Sequence, residues 1–392
     1  MKQLQLLPKK ENALFRRHPW IFSGALKKTK SSPQEGELVQ VFSDAGDYMA
    51  TGHYQIGSIA VRILSFDQEE IDLSFYTRRL QAALDLRIQL QLWDKPEHSM
   101  LRLVHGEGDF LPGLIIDLYH TTAVVQFHSV GMYLDRNMIY EALKQVLGIR
   151  LEAIYCKSAH TLPFKADLGA EDEFVFGNSN DTIAQEYGLS FRIDWIQGQK
   201  TGFFIDQREN RRLVEFYAHN KRVLNLFGFT GGFSLYALRG GAKEVHTVDS
   251  SERAIQLSLE NVALNFPDET RHTAYQTDAF DFLNGMDQAY DLIILDPPAF
   301  AKHQKALHNA LIAYKRINAK AIRNLSAGGI LFTFSCSQAV SKEEFRKSVF
   351  AAAAQSGREV QILHQLGQPA DHPISMYHPE GEYLKGLVLR IL

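Results

Sequence analysis

Two short stretches in the second half of the chain carry residue types that could do chemistry. The first is Asp296-Pro297-Pro298-Ala299-Phe300, which follows the apolar run YDLIIL. Paired prolines fix the backbone and remove N–H donors, leaving carbonyls free to accept from a planar amino or imino group. Asp296 adds an acceptor, or a donor when protonated, so the stretch suits the edge of a pocket for a flat nucleobase. Phe300 could stack on that base and could equally fill a core. The second stretch is Ser335-Cys336-Ser337, at the end of ILFTFS. A lone cysteine is most often a small buried hydrophobe. At a strand's carboxyl end, beside Asp296, it is also placed to be a nucleophile. The chemistry would be addition to carbon 6 of a pyrimidine, turning the ring into an enamine or enolate whose carbon 5 attacks a methyl sulfonium. A base then removes the carbon-5 proton and the thiol is expelled. Cys156 lies in a different region and reads as structural.

A methyl donor needs its own site. The run VLNLF (223–227) leads into Gly228-Phe229-Thr230-Gly231-Gly232 and then the helical stretch FSLYALRGG. Glycines there permit a tight turn and a close approach of a ligand to backbone and helix N-terminus. The next run, EVHTVD, ends in Asp249. An acid at the tip of a second strand can accept both hydroxyls of a ribose; the other role open to it is a helix cap. Asp278, after HTAYQT, could lie beside an adenine or serve a turn. The candidate cofactor residues are therefore Asn225, Phe227, Gly228, Thr230, Gly231 and Gly232 around the turn. Asp249 with Ser250, Asp278 with Ala279, and Asp296 complete the set. The turn is not a GxGxxG pattern, so nicotinamide and S-adenosylmethionine compete. The Asp296-Pro297-Pro298 edge favours S-adenosylmethionine, because hydride transfer has no evident use for a nucleobase edge.

These residues need a scaffold that brings strand ends together. From about residue 190 short apolar runs alternate with helical stretches such as ERAIQLSLENVALNF and RINAKAIRNLS, which predicts an α/β architecture with a largely parallel sheet covered on both faces. Ligands bind beyond the carboxyl ends of such strands. Upstream, GELVQVFS, YMATGHYQ and IAVRILSF predict a small β-rich module. Residues 77–92 predict a helix with Leu80, Leu84, Ile88 and Leu92 on one face. LPGLIIDLYHTTAVVQFHSV predicts a hairpin and LDRNMIYEALKQVLG a helix. The acidic stretch 165–190 reads as an irregular boundary. The expected domains are 1–72, 73–187 and 188–392.

Bulk properties limit the function classes. A chain of 392 residues, 45% hydrophobic and 22% charged, is an ordinary globular protein of two or three domains. It shows no apolar run of membrane-span length and no signal-peptide pattern at its start. Two cysteines exclude a disulfide framework and a cysteine-based metal site, so no metal is expected and the location expected is the cytoplasm. The net charge of −3 is uneven. Residues 1–30 hold eight basic side chains against one acid, Glu11, a surplus of seven that leaves −10 for the rest. A local basic patch attracts phosphates whatever the overall charge, although a solvated basic terminus looks the same.

Together these residues resemble the bacterial ribosomal-RNA large subunit methyltransferase I family, which forms 5-methylcytosine in 23S rRNA. The resemblance covers nearly the whole chain. It is strongest in GQKTGFFIDQREN (198–210), VLNLFGFTGG (223–232), LIILDPPAF (292–300), FTFSCS (332–337) and DHPISMYHPEGEYLKG (371–386). RRHPWIFSGA (16–25) is similar to the family's PUA module and RLVHGEGDFLPGLIID (102–117) to its central domain. The resemblance implies an N-terminal PUA β-barrel that binds RNA, an α+β central domain and a C-terminal Rossmann-like class I methyltransferase domain with a seven-stranded, mainly parallel sheet. It implies S-adenosyl-L-methionine as cofactor, Cys336 as nucleophile, Asp296 at N3 of the base and Asp249 on the cofactor ribose. Lys200, Thr201, Gly202 and Asp206 would lie near the cofactor. Arg208 would lie near the RNA, with Pro297, Pro298 and Phe300 lining the base pocket. His105, Glu107 and Asp109 would face the cleft or serve a turn, while His372 and Lys385 default to structural roles. The chain departs from the family at Ala299, where lysine is common, and in YCKSAHTLPFKADLG (155–169). Exocyclic-amine methylation, 5-methyluracil formation and a non-catalytic RNA-binding assembly factor are the competing readings. A homodimer is left open.

Overall fold

The computed structural model describes residues 1–29, 31–163, 168–286, 289–301 and 303–392. Lys30, of the basic N-terminal set, and part of the divergent 155–169 segment lie outside the described residues. Two compact units form, each containing segments distant in sequence. The first holds 1–188, 193–205 and 370–381; the second holds 189–192, 206–369 and 382–392.

The first unit contains two five-stranded sheets. One is built from β1 (Lys2–Gln5), β2 (Trp20–Phe22), β3 (Leu38–Phe42), β4 (Tyr48–Tyr54) and β5 (Ile59–Ser65), in the order β1-β3-β4-β5-β2. Alternation in LVQVF turns Val39 and Val41 inward, where they meet Leu4, Leu6, Ile21, Val61 and Ile63. The other comprises β6 (Met100–His105), β7 (Leu114–Tyr119), β8 (Thr122–Phe127), β9 (Ala153–Lys157) and β10 (Asp172–Phe176), in the order β10-β9-β8-β7-β6. The expected hairpin is β7–β8. The helices Leu73–Gln89 and Arg136–Leu147 supply Phe75, Leu80, Leu84, Ile139 and Leu143 to its core. One helical face differs from expectation: Ile88 is 48% exposed, and Arg87 is wholly buried instead. Its guanidinium holds Asp109 through two bonds, of 2.5 and 2.8 Å, and the Asp371 carbonyl at 2.7 Å. A paired, fully hydrogen-bonded arginine can be buried where an unpaired one cannot. The stretch expected to be irregular carries β10 and β11 (Ile183–Glu186) and runs into β12 (Leu189–Arg192).

The second unit is one seven-stranded sheet between helices. Its strands are β13 (Arg222–Leu226), β14 (Glu244–Asp249), β15 (His272–Gln276), β16 (Tyr290–Leu295), β17 (Leu325–Ser335), β18 (Val360–Leu366) and β19 (Lys385–Ile391). The order is β15-β14-β13-β16-β17-β19-β18. The first five are mutually parallel and β19 is antiparallel to both neighbours. Residues of β13 and β16 are almost entirely buried, as strands covered on both faces must be. Strand order reverses at β13, which places a switch point between β13 and β16 at the carboxyl edge. Among the described residues no helix is long and apolar enough to cross a membrane.

Candidate active site

The carboxyl ends of β14, β13, β16 and β17 lie side by side, so the residues following them share one edge of the second unit. After β13 the chain makes a turn in which Phe227 (φ 58°), Phe229 (φ 45°) and Gly231 (φ 79°) are all left-handed. Bulky residues resist that conformation, so the surrounding structure must enforce it. Part of the enforcement is Asp249, whose Oδ2 accepts from the Phe229 backbone N–H at 2.9 Å while Oδ1 accepts from Ser251 at 2.9 Å. Each of its oxygens keeps a lone pair, and the side chain is half-buried. A pair of ribose hydroxyls therefore fits the acceptors that remain. Asn225 is fully buried behind the turn and donates to Ser234 Oγ at 2.9 Å. In this structure it braces the turn from beneath. Thr230 and Gly231 are buried, and Ser250 is exposed beside Asp249. Asp278 caps the helix Ala279–Asn284 through Phe280 and Asp281 backbone N–H groups, at 2.7 and 3.2 Å. Its carboxylate is otherwise exposed, and Ala279 is buried.

Register places Leu295 opposite Thr333, so Asp296 and Cys336 emerge from neighbouring parallel strands. Cys336 is half-buried, with Sγ 3.9 Å from the Pro297 carbonyl oxygen. Pro297 is buried and Pro298 exposed. Asp296 is half-buried and its Oδ1 accepts from Gln207 Nε2 at 3.0 Å. Asn210 donates to Gln207 Oε1 at 2.6 Å, which fixes the amide so that its NH2 faces the carboxylate. Asp206 Oδ2 accepts from Tyr383 Oη at 2.6 Å. Phe300 packs against Tyr314, ring centroids 4.7 Å apart, and Tyr314 Oη lies 3.1 Å from Ser337 Oγ.

Comparisons with known proteins identify a methyltransferase domain and a PUA-like module. Residues 159–386 match the model of the S-adenosylmethionine-dependent methyltransferase family, and residues 4–66 match a PUA-like domain. The curated ribosomal RNA large subunit methyltransferase I of Tolumonas auensis is 41% identical, with 98% of each chain covered. Those of Aeromonas salmonicida and Escherichia coli are 39% and 37% identical over 99% and 100% of this chain, covering 98% and 99% of their own lengths. The chain belongs to the ribosomal RNA large subunit methyltransferase I family. A putative SAM-dependent methyltransferase from Streptococcus mutans shares the fold, with a TM-score of 0.86 at 22% identity and full coverage of both chains.

As a member of this methyltransferase family the chain carries the expected α/β fold and the PUA-like module. Asp206, Asp249, Asp278, Asp296 and Cys336 all belong to the second unit. Lys200, Thr201 and Gly202 fall in the first unit. There Thr201 is buried and donates to Asp117 Oδ2 at 2.5 Å, and Lys200 Nζ sits 5.0 Å from the Phe204 ring. Arg208, expected near RNA, is 1% exposed, with Nε 3.4 Å from Glu209. Glu107 accepts from Trp20 Nε1 and Arg62, and Asp109 from Arg87 and the His105 backbone N–H, which gives both acids structural bonds within the first unit. The rings of His105 and His372 lie 5.0 Å apart, and burial holds His105 well below its ordinary pKa. Sequence reasoning missed Gln207, Asn210 and Tyr383 as partners of the site's acids. Gln207 and Asn210 lie inside the GQKTGFFIDQREN stretch, and that proximity to Asp206 was the available signal.

Proposed function

We propose that this chain transfers the methyl group of S-adenosylmethionine to carbon 5 of a cytosine in large-subunit ribosomal RNA, with Cys336 as nucleophile. One observation carries the reading: a half-buried thiol stands beside an Asp-Pro-Pro edge, Sγ 3.9 Å from the Pro297 carbonyl. An enzyme that methylates an exocyclic amine needs no thiol there. The donor supplies an electrophilic methyl sulfonium. Asp249 would hold the ribose, with the left-handed turn at 227–231 lying against the adenosyl group and Asp278 beside the adenine. Lys200, Thr201, Gly202 and Asp206 belong to the same proposed set on the strength of the family resemblance.

The target base must be unpaired or flipped out of its helix to reach this edge. Asp296, oriented by Gln207, and the Pro297 and Pro298 carbonyls would take its Watson–Crick edge. The Cys336 thiolate adds to carbon 6, and the carbon 5–carbon 6 π pair shifts toward carbon 4 and N3, leaving an enamine whose carbon 5 is nucleophilic. Carbon 5 then takes the methyl group, leaving S-adenosylhomocysteine. A base removes the carbon-5 proton, and the released pair re-forms the double bond and expels the thiolate. The products are 5-methylcytosine, S-adenosylhomocysteine and a proton. We assign residues 1–72 to RNA anchoring, 73–187 to a supporting domain and 188–392 to catalysis. Arg208 would act on RNA only after leaving its buried position.

RNA carrying 5-fluorocytidine at the target separates the chemistries. Methylation at carbon 5 leaves no proton to abstract, so the expected product is a denaturant-resistant protein–RNA adduct. Cys336→Ala should form none. Cys156→Ala should form it normally, because Cys156 is buried and burial pushes its thiol up. A Cys336→Ala enzyme with full methylation activity would sink the covalent mechanism and favour the exocyclic amine. An adduct on 5-fluorouridine RNA alone would move the target to uracil.

A further inference from the structure

Lys385 opens β19, and the antiparallel register sets it opposite Ser335, the residue before Cys336. It is only 4% exposed. Its Nζ donates to the carbonyls of Ser337 at 2.7 Å and Val340 at 2.8 Å, two points on the turn that follows Cys336. A buried ammonium is costly unless an anion or aligned dipoles compensate for lost water. The nearby acids are engaged elsewhere: Glu382 pairs with Lys342, and Glu344 closes a capping box with Ser341. Burial pushes the Lys385 ammonium down to about 8, and the Cys336 thiolate is the largest of the charges that hold it up. An ammonium at about 8 is still mostly charged at neutral pH. The other titratable groups around this turn are Lys342, Tyr314, which approaches Ser337, and Asp296, which follows the neighbouring strand. Lys342 carries a positive charge, and it is paired with Glu382.

We propose that Lys385 is the positioning residue of Cys336: its buried ammonium fastens the 337–340 turn that seats the thiol and stabilises the thiolate that attacks carbon 6. This rests on the covalent reading above. Lys385 stays protonated throughout and touches neither base nor cofactor. The thiol proton goes to solvent, and the electron pair left on sulfur is the one that forms the bond to carbon 6. A purely structural Lys385 would need only to satisfy two carbonyls, which a neutral donor also does in part.

The test is the rate at which iodoacetamide alkylates Cys336 between pH 6 and 10. It is read by mass spectrometry of the Cys336 peptide in the full-length wild type, Lys385→Gln and Lys385→Arg. In the wild type the midpoint should fall below the value of about 8.5 for an unperturbed thiol. Gln keeps a donor for the carbonyls but no charge, so alkylation at pH 7 should slow about tenfold, equivalent to one pKa unit. Arg should keep the wild-type profile. A Lys385→Gln profile that superimposes on the wild type overturns the proposal. If Lys385→Gln does not fold, the wild-type midpoint decides, and a value at or above about 8.5 overturns it. A shifted Lys385→Gln profile together with no 5-fluorocytidine adduct in the wild type would sink the covalent reading and leave the Lys385–Cys336 coupling standing.

Discussion

The carboxylate of Asp249 already does two things before any cofactor arrives: it tethers Phe229 in a left-handed conformation and caps Ser251. Removing it therefore loosens the turn as well as deleting the acceptors proposed for the ribose. Asp249→Ala should weaken S-adenosylmethionine binding by about 1.5–3 kcal/mol, the scale of hydrogen bonds to a charged group. Isothermal calorimetry on the folded variant measures this directly, and unchanged affinity would remove Asp249 from the site. At this scale the sequence was informative where residue type and strand end coincide. Asp249, Asp296 and Cys336 each close an apolar run and needed no knowledge of packing. Gln207, Asn210 and Tyr383 were opaque for the opposite reason. Each matters only through a partner that is distant along the chain or hidden within a polar stretch, such as Tyr383 bonded to Asp206. Asn225 shows a further limit, since its position inside a strand gave no sign that its amide braces the turn from beneath through Ser234.

At the level of elements, the turn after β13 is tightly constrained. A Cβ on Gly231 would approach Ser258 Oγ to 2.6 Å and Ser258 Cα to 3.3 Å, at a φ of +79° that L side chains rarely adopt. Gly231→Ala should cost about 1–3 kcal/mol of stability, the range for a strained backbone position, and should weaken cofactor binding in parallel. Urea unfolding with a binding titration tests both, and wild-type values for the pair would show that the turn tolerates a side chain. A pH effect belongs to the neighbouring strands. Burial, with His246 adding to it, holds His272 on β15 down to about 4, and burial also lowers His246. As pH falls below about 6.5 these histidines take up protons in the unfolded chain, while folded His272 stays neutral until about pH 4. The unfolded state then binds more protons, so stability should fall across that window, by at most about 1.4 kcal/mol per pH unit for each histidine. His272→Asn should flatten the decline in urea midpoint between pH 6.5 and 4.5. An equal slope in the variant would show that His272 is not its source. Helix periodicity predicted a helix over 77–92, where the structure has Leu73–Gln89, and chose Ile88 for its buried face, because apolarity stands in for burial in such a reading. Arg87 is buried there through Asp109, a partner that the pattern of one segment cannot display.

Over the whole molecule, both compact units draw on distant segments, so neither is a continuous stretch of sequence. In the first unit the segment 370–381 returns to the earlier chain: Arg87 donates to the Asp371 carbonyl, and the Arg102 backbone N–H donates to its carboxylate at 3.1 Å. The N-terminal sheet is tied in as well, with His53 Nε2 2.9 Å from Asp135 and Trp20 bonded to Glu107. Deleting residues 1–72 would bare these partners and confuse a folding defect with lost RNA contact. Charge neutralisation is the cleaner test of whether the basic start of the chain holds RNA. Lys27 pairs with Asp44 and Lys2 with Glu37, so their charges are partly spent within the protein. Lys9, Lys10, Arg16 and Lys28 are exposed on the surface. Changing those four to Gln leaves the backbone and every contact named above in place. If each meets a phosphate, binding of the full-length protein to single-stranded rRNA fragments should lose about 0.7 per residue from the slope of log affinity against log salt, roughly 3 in all. Affinity in low salt should fall accordingly, while S-adenosylmethionine affinity should not move, because none of the four belongs to the proposed cofactor set. A quadruple variant whose salt slope matches the wild type would show that the basic N-terminus is solvated and that the phosphate contacts lie elsewhere on the protein.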